Sequence, residues 1–293
     1  MKRYLKALCL MLFLSACEDS SSKKVYKPQS SGNINAISVV VDNDLWESSL
    51  GETIRSTVGA PLYGLPQDEP QFTLRQIPHS VFTGFVKNSR LVLKVNKGVE
   101  SATKFYKSPY ASPQMMVVVS GMTNQEISDQ LQTNQDKIIK TFKAQELQEK
   151  QRRSKKTLFN STAINKQFGI DIQFSSLYRI ANQTDNFTWI RRDIKTGTVN
   201  LLLYTLPYDD QLTKDSLAKR VLTVRDSIGK QYIEGPIEGS YMTTEKAYTP
   251  FFGDTKVSGL TSFETKSIWQ VKGAFMSGPF INYWIEDKVN NRY

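Results

Sequence analysis

The residues best equipped for chemistry gather in one stretch, Gly235-Pro-Ile-Glu-Gly-Ser-Tyr-Met-Thr-Thr-Glu245, continuing to Tyr248-Thr-Pro-Phe-Phe252. It holds two carboxylates, Glu238 and Glu245, and the phenol of Tyr241. Paired carboxylates can share acid and base duties or bind the hydroxyls of a sugar-like ligand. Arg191-Arg192-Asp193 adds two guanidinium groups, one suited to a carboxylate and the other to solvent. The plainer reading is an ordered loop whose glycines make turns and whose aromatics fill a core. Glu238, Tyr241, Glu245, Arg191 and Arg192 are therefore candidate ligand-binding residues, and no residue is assigned a catalytic role.

Other patterns lead less far. Ser101-Ala-Thr-Lys104 fits the Ser-x-x-Lys pattern of penicillin-binding enzymes, and Lys195-Thr-Gly197 fits their Lys-Thr-Gly element. That chemistry needs the serine at the start of a buried helix. Here Ser101 stands among strand-like residues before Pro109, and Lys195-Thr-Gly197 falls in a hairpin turn from Asp193 to Thr198. The only histidine, His79, follows Pro78, and the sequence places no carboxylate beside it. With two cysteines in all, Cys9 and Cys17, thiolate or histidine zinc sites cannot be assembled. No metal and no cofactor is expected.

The first seventeen residues set where this chemistry would operate. Lys2, Arg3 and Lys6 form a basic head, Ala7 to Ala16 an apolar run, and Leu14-Ser15-Ala16-Cys17 a small-residue ending. That is the pattern of a secretory signal. Its last four residues resemble the bacterial lipoprotein box, in which the cysteine is acylated and becomes the new N-terminus. Cys17 is thus the expected lipidation site. Each buried CH₂ contributes about 0.8 kcal/mol, and two or more chains give stable anchoring. The whole chain carries 38 lysines and arginines against 28 aspartates and glutamates; without the three basic leader residues the excess is +7.

The elements that must position the candidates follow from periodicity. Residues 18 to 33 are polar, with Pro28 and Gly32, and read as a flexible tether. Ile37 to Val41 has strand character, and Trp46, Leu50, Ile54 and Val58 recur every fourth residue as in an amphipathic helix. Residues 61 to 70, with four prolines and glycines, form an ordered turn-rich loop or a linker. Arg90–Val95 with Met115–Val119, and Phe187–Arg192 with Thr198–Leu203, look like hairpins, each leading to a helix. Thr123 with Glu126 fits a capping box and Met122 with Ile127 a hydrophobic staple; Thr213 caps the second helix and Leu212 staples to Leu217. A third pair, Ser267–Val271 with Phe280–Ile285, ends in Asn290-Asn291-Arg292-Tyr293, which reads as a turn entering a return strand. The repeat therefore suggests a further strand and helix beyond Tyr293. Lys150-Gln-Arg-Arg-Ser-Lys-Lys156 is either a solvated face or a contact for anionic lipid and other envelope polyanions. No recognition motif accompanies it, so nucleic acid is not an expected partner.

Taken together, several stretches resemble one family: Val39-Val-Val-Asp-Asn-Asp-Leu-Trp46, Ala60-Pro-Leu-Tyr-Gly-Leu-Pro-Gln67, Ile190-Arg-Arg-Asp193, Glu234 to Glu245, and Gly278-Pro-Phe-Ile-Asn-Tyr283. The chain resembles the DUF4837 family of Gram-negative bacterial lipoproteins, from about Ile37 to the C-terminus. The resemblance implies no activity and no catalytic residues, and implies members that continue past Tyr293.

The expected fold is α+β: antiparallel sheets with helices packed on one face, built from repeated strand–strand–helix units. The expected organisation is a signal peptide with lipobox at 1–17, a tether at 18–33, an α+β domain at 34–156 and a second at 157–293, which the repeat implies is truncated at its C-terminus. The leading function is a membrane-anchored cell-envelope lipoprotein, at the outer membrane, that binds or scaffolds an envelope protein or glycan. The alternative is an envelope hydrolase acting on glycan or peptide through carboxylates of the 235–245 loop.

Overall fold

The computed structural model describes residues 26–65, 67–195 and 197–293. The leader, Cys17 and the first part of the expected tether lie outside the described residues.

The first half is a five-stranded sheet with helices on one face. Its strands are β1 (Ala36–Val40), β2 (Thr73–Ile77), β3 (Leu91–Lys97), β4 (Ala102–Lys107) and β5 (Met115–Gly121), in the order β2-β1-β3-β5-β4. Odd-numbered residues of β1, β3 and β5 (Ile37, Val39, Leu91, Leu93, Val95, Met115, Val117, Val119) form one apolar face. Against it pack α2 (Ser49–Val58), α3 (Asn124–Thr133) and α4 (Gln135–Ser154), through Leu50, Ile54, Val58, Ile127, Leu131, Ile138 and Phe142. Short α1 (Asn43–Trp46) leads into α2. Two 3₁₀ segments, His79–Val81 and Gly84–Asn88, cover part of the other face, where Phe82 and Val86 pack on Val40, Ile77, Val92 and Met116.

The α+β class holds, with one correction inside it. β3 and β5 are neighbours, but they run parallel and make no hairpin. β1 is also parallel to β2 and β3, so only β4 against β5 is antiparallel here. The reason lies between Lys97 and Met115: β4 fills that connection as the return strand and frees β5 to run alongside β3. A sheet that is mainly parallel must be covered on both faces, which explains the β-branched runs of β3 and β5.

The second half carries antiparallel sheets, as the periodicity indicates. One is β6 (Arg179–Gln183), β7 (Phe187–Ile194) and β8 (Gly197–Tyr204) in that order, with α5 (Thr162–Phe168) packed on it through Ile164 and Phe168. The other is β10 (Phe251–Val257), β11 (Leu260–Lys272) and β12 (Ser277–Ile285), with β9 (Tyr241–Thr244) paired to the far end of β11. Helix α6 (Lys214–Tyr232) reaches both sheets: Val221 and Val224 pack with Tyr204, Phe263 and Trp284, and Tyr232 stacks on Phe187. Thr213 caps it in a reciprocal box with Ser216.

Order begins ahead of Ile34. Ser30 and Ser112 donate to Ser112 and Pro28 carbonyls, and Ser31 to Asn88. Residues 28–33 are therefore fixed along the domain, a difference from the flexible segment expected over all of 18–33. Arg90 explains it: buried to 2 % exposure, it donates to the carbonyls of Gly32 and Asn33.

Candidate functional site

All four parallel strands of the first sheet end on the same side, and there the chain sets down polar side chains. Asp42 follows β1, His79 follows β2 and Asn96 closes β3. Asp42 Oδ1 accepts the backbone N–H of His79 at 3.0 Å, and its Oδ2 lies 3.2 Å from His79 Nδ1. His79 Nε2 stands 3.3 Å from Asn96 Oδ1. The backbone N–H of His79, then its ring, holds the Asp42 carboxyl below the usual 3.8 in spite of partial burial. Sequence reading left His79 without a carboxylate, because only the parallel pairing of β1 with β2 joins residues 37 positions apart.

The position has a topological meaning. From β1 the chain moves outward to β2, then returns to the other side of β1 to lay down β3. In open parallel sheets ligands bind outside the carboxyl ends of the strands, where the order reverses. Beside Asn96 a cleft of about 220 Å³ opens on the helix-free face, lined by Glu100, Lys104, Tyr106, Val118 and Ser120 among others. That is below the ~300 Å³ at which drug-sized pockets start, so it suits a small polar group or one unit of a polymer. Asp42 and Asn96 are the polar side-chain partners of His79 among the described residues. The arrangement can bind and orient a small polar group.

The 235–245 stretch is a built turn. Ser240 N–H donates to the Ile237 carbonyl at 2.9 Å, Ile237 N–H to Ser240 Oγ at 3.1 Å, and Gly239 takes φ +76°. A Cβ at Gly235 would stand 2.3 Å from Ser240 Oγ, so only glycine fits there. Glu238 lies exposed at the turn, and Glu245 Oε1 accepts the Ala247 N–H within its own loop. The Tyr241 ring is flanked by the ammonium groups of Lys230 and Lys272, at 5.7 and 5.8 Å. Arg191 and Arg192 belong to a different sheet, where Arg191 Nε pairs with Asp193 Oδ1 at 3.1 Å and Arg192 lies over Tyr178. Among the described residues, no hydrogen bond or ion pair links either arginine to Glu238 or Glu245.

Ser101 precedes strand β4, not a helix, and Lys195 and Gly197 flank the β7–β8 turn; Thr196 lies outside the described residues. The penicillin-binding patterns are thus far from the geometry that their chemistry requires.

The interior polar cluster of the second half went unread in the sequence. Asp226 Oδ1 accepts both Thr244 N–H at 2.7 Å and Thr244 Oγ1–H at 2.6 Å, and Arg225 Nη1 donates to Thr244 Oγ1 at 2.9 Å. The Arg225 guanidinium lies 3.7 Å from the Phe280 ring centroid, and burial pulls its pKa down to about 10. This cluster ties α6 to β9 and β12. The signal was present only as two adjacent charges, Arg225-Asp226, on an otherwise apolar helix face.

Two domain families account for this chain. Residues 157–293 match the domain of unknown function DUF4837, and residues 30–155 match a separate domain of unknown function, DUF8532. The resemblance to DUF4837 therefore holds for the second half. The stretches near Trp46 and Gln67 fall in the DUF8532 match instead. No curated protein and no solved structure matches the chain. No helix among the described residues is long and apolar enough to cross a membrane, and none of them form an acidic, histidine or cysteine group of metal-binding size.

Proposed function

We propose that this chain is a cell-envelope lipoprotein, held at the outer membrane by acyl chains on Cys17, with two α+β domains meeting near residue 157 that bind a partner without catalysis. The observation that carries the anchoring is the leader itself: basic head, short apolar run and Leu14-Ser15-Ala16-Cys17. Support for binding comes from the open cleft beside Asn96 and from the scatter of the candidate residues. Glu238 and Glu245 stand in the turn before β9 and the loop after it, and the arginines lie on β7 of another sheet, so the five candidates are spread over separate parts of the surface. An envelope protein or glycan remains the partner class that this address implies.

The test is fractionation of cells expressing wild type and Cys17→Ala. Wild type should sediment with membranes and take up a palmitate analogue, and the variant should do neither. Equal distribution of the two proteins would remove the anchoring from the proposal.

A further inference from the structure

The first domain has two ends of opposite charge. Because β1, β2, β3 and β5 run parallel, their starts share one end, and β4 finishes at that end with Lys107 opposite Met115. Helix α4 finishes there too: Glu146 meets Asn35 and Arg90, and Arg153 Nη2 donates to the Gly32 carbonyl at 3.1 Å. The other end, where the parallel strands finish, carries Asp42, Asp44, Glu47, Glu100 and Glu126 against Lys97.

At the starting end the balance is reversed. Glu146 and Glu149 are buried and matched by Arg90, Arg152 and Arg153, which leaves one guanidinium charge in excess. The Lys87 carbonyl accepts Gln114 Nε2 at 2.6 Å, Ser108 N–H donates to the Gln114 carbonyl at 2.8 Å, and Lys27 Nζ donates to that of Ser108. Lys27, Lys87 and Lys107 therefore belong to one cluster of loops, and Lys150, Lys155 and Lys156 stand at the close of α4. None of the six forms an ion pair among the described residues, where the paired lysines are Lys214, Lys266 and Lys288. Asp68 and Glu69 lie in the loop before β2, at the opposite edge of the sheet from β4.

The chain enters the fold at this same end. Ser31 N–H donates to the Asn88 carbonyl at 2.8 Å and Ser112 N–H to that of Pro28 at 2.9 Å. Only residues 18–25 separate Cys17 from Tyr26, a span of at most about 30 Å. Tyr26 is 89 % exposed, and Phe85, two residues before Lys87, is 82 % exposed. Such rings suit the headgroup level of a bilayer.

We propose that this end of the first domain is a docking face for anionic phospholipid, seated on the membrane to which the chain is tethered. The proposal rests on the anchoring at Cys17 and adds an orientation to it: basic end against the headgroups, acidic end and the cleft beside Asn96 directed away. A short tether keeps the lysines near the surface, where each cation strengthens binding about fivefold. Proximity also selects lipid over a soluble polyanion, which the tether does nothing to concentrate.

The experiment places the mature acylated chain, purified in detergent, in vesicles of phosphatidylcholine alone or mixed with phosphatidylglycerol. Acetylation of each lysine is then followed by mass spectrometry. The anionic vesicles should slow Lys107, Lys155 and Lys156 by about fivefold each relative to the neutral ones, and leave Lys97 unchanged. Salt at about 1 M, which shortens the Debye length to about 3 Å, should erase the difference. Lys155→Glu combined with Lys156→Glu, both exposed, should abolish the protection of Lys107. A chain that fails to sediment even with neutral vesicles would overturn the anchoring and this proposal together. A chain that sediments with both, yet reacts equally on both or is protected as much at Lys97, would overturn this proposal alone. Protection by dextran sulfate but not by phosphatidylglycerol would assign the face to a soluble polyanion and overturn it likewise.

Discussion

Arg90 and Glu146 meet in the interior of the first domain through two hydrogen bonds, 2.6 Å from Nε to Oε1 and 3.1 Å from Nη2 to Oε2. Both side chains are almost wholly buried, at 1 % and 2 % exposure. The pair does more than neutralise itself. Arg90 also holds the carbonyls of Gly32 and Asn33, and Glu146 Oε2 accepts the N–H of Asn35 at 2.6 Å. The segment arriving from the N-terminus is thereby fixed to α4. Removing Glu146 leaves Arg90 with Glu149 alone, whose Oε1 stands 4.0 Å from its Nη1, so the loss falls at the lower end of the about 3–5 kcal/mol that breaking a buried pair costs. Glu146→Gln should lose that much by urea denaturation and expose residues 28–35 to proteolysis. Unchanged stability would contradict this role.

The neighbouring Glu149 predicts a pH dependence. Hydrogen bonds from Arg152 and then Arg153 lower its pKa from 4.5 to about 2, against the opposing effect of burial. A depressed carboxylate contributes stability that is whole above its unfolded pKa and is lost as pH falls through the folded one. Wild type should therefore weaken progressively between 4.5 and about 2, and Glu149→Gln should show a flatter profile across that window. Identical slopes for the two proteins would refute the coupling.

At the carboxyl end of the parallel strands, Asp42 should titrate below 3.8 by carbon NMR. The largest cause is the backbone N–H of His79, ahead of its ring. His79→Ala keeps that N–H, so the depression should shrink but persist. Complete return to the usual value would mean that the ring alone is responsible.

Thr213→Ala should cost about 1 kcal/mol, the ordinary loss for a helix N-cap. Met122→Ala should change stability by less than about 0.5 kcal/mol, because Met122 is 57 % exposed. A large loss at Met122 would contradict the exposed position.

These two helix starts show where the sequence could be read and where it could not. Around α6, Thr213, Leu212, Leu217, Val221, Val224 and Ile228 all fall where the periodicity puts them, since cap and apolar stripe are local signals. At α3 the cap is right: Thr123 accepts the Glu126 N–H at 3.2 Å, while Glu126 Oε2 takes the Met122 N–H at 2.9 Å. That bond fixes the Met122 backbone and leaves its side chain outward. The hairpins β7–β8 and β11–β12 were legible because short turns dictate antiparallel pairing. The parallel pairing of β3 with β5 was not, since register between distant strands leaves no local mark. The same limit hid Arg90 with Glu146, whose carboxylate sits in a helix that reads as solvated charge. For the five candidate ligand residues, spacing revealed the turn at Gly239 but not that Arg191 and Arg192 stand on a different sheet from Tyr241.

Mass spectrometry of the mature N-terminus in cells tests the proposed anchor most directly. The predicted result is a chain beginning at Cys17 with its sulfur bearing a diacylglyceryl group. A chain still carrying Met1 to Ala16, or an unmodified Cys17, would contradict it.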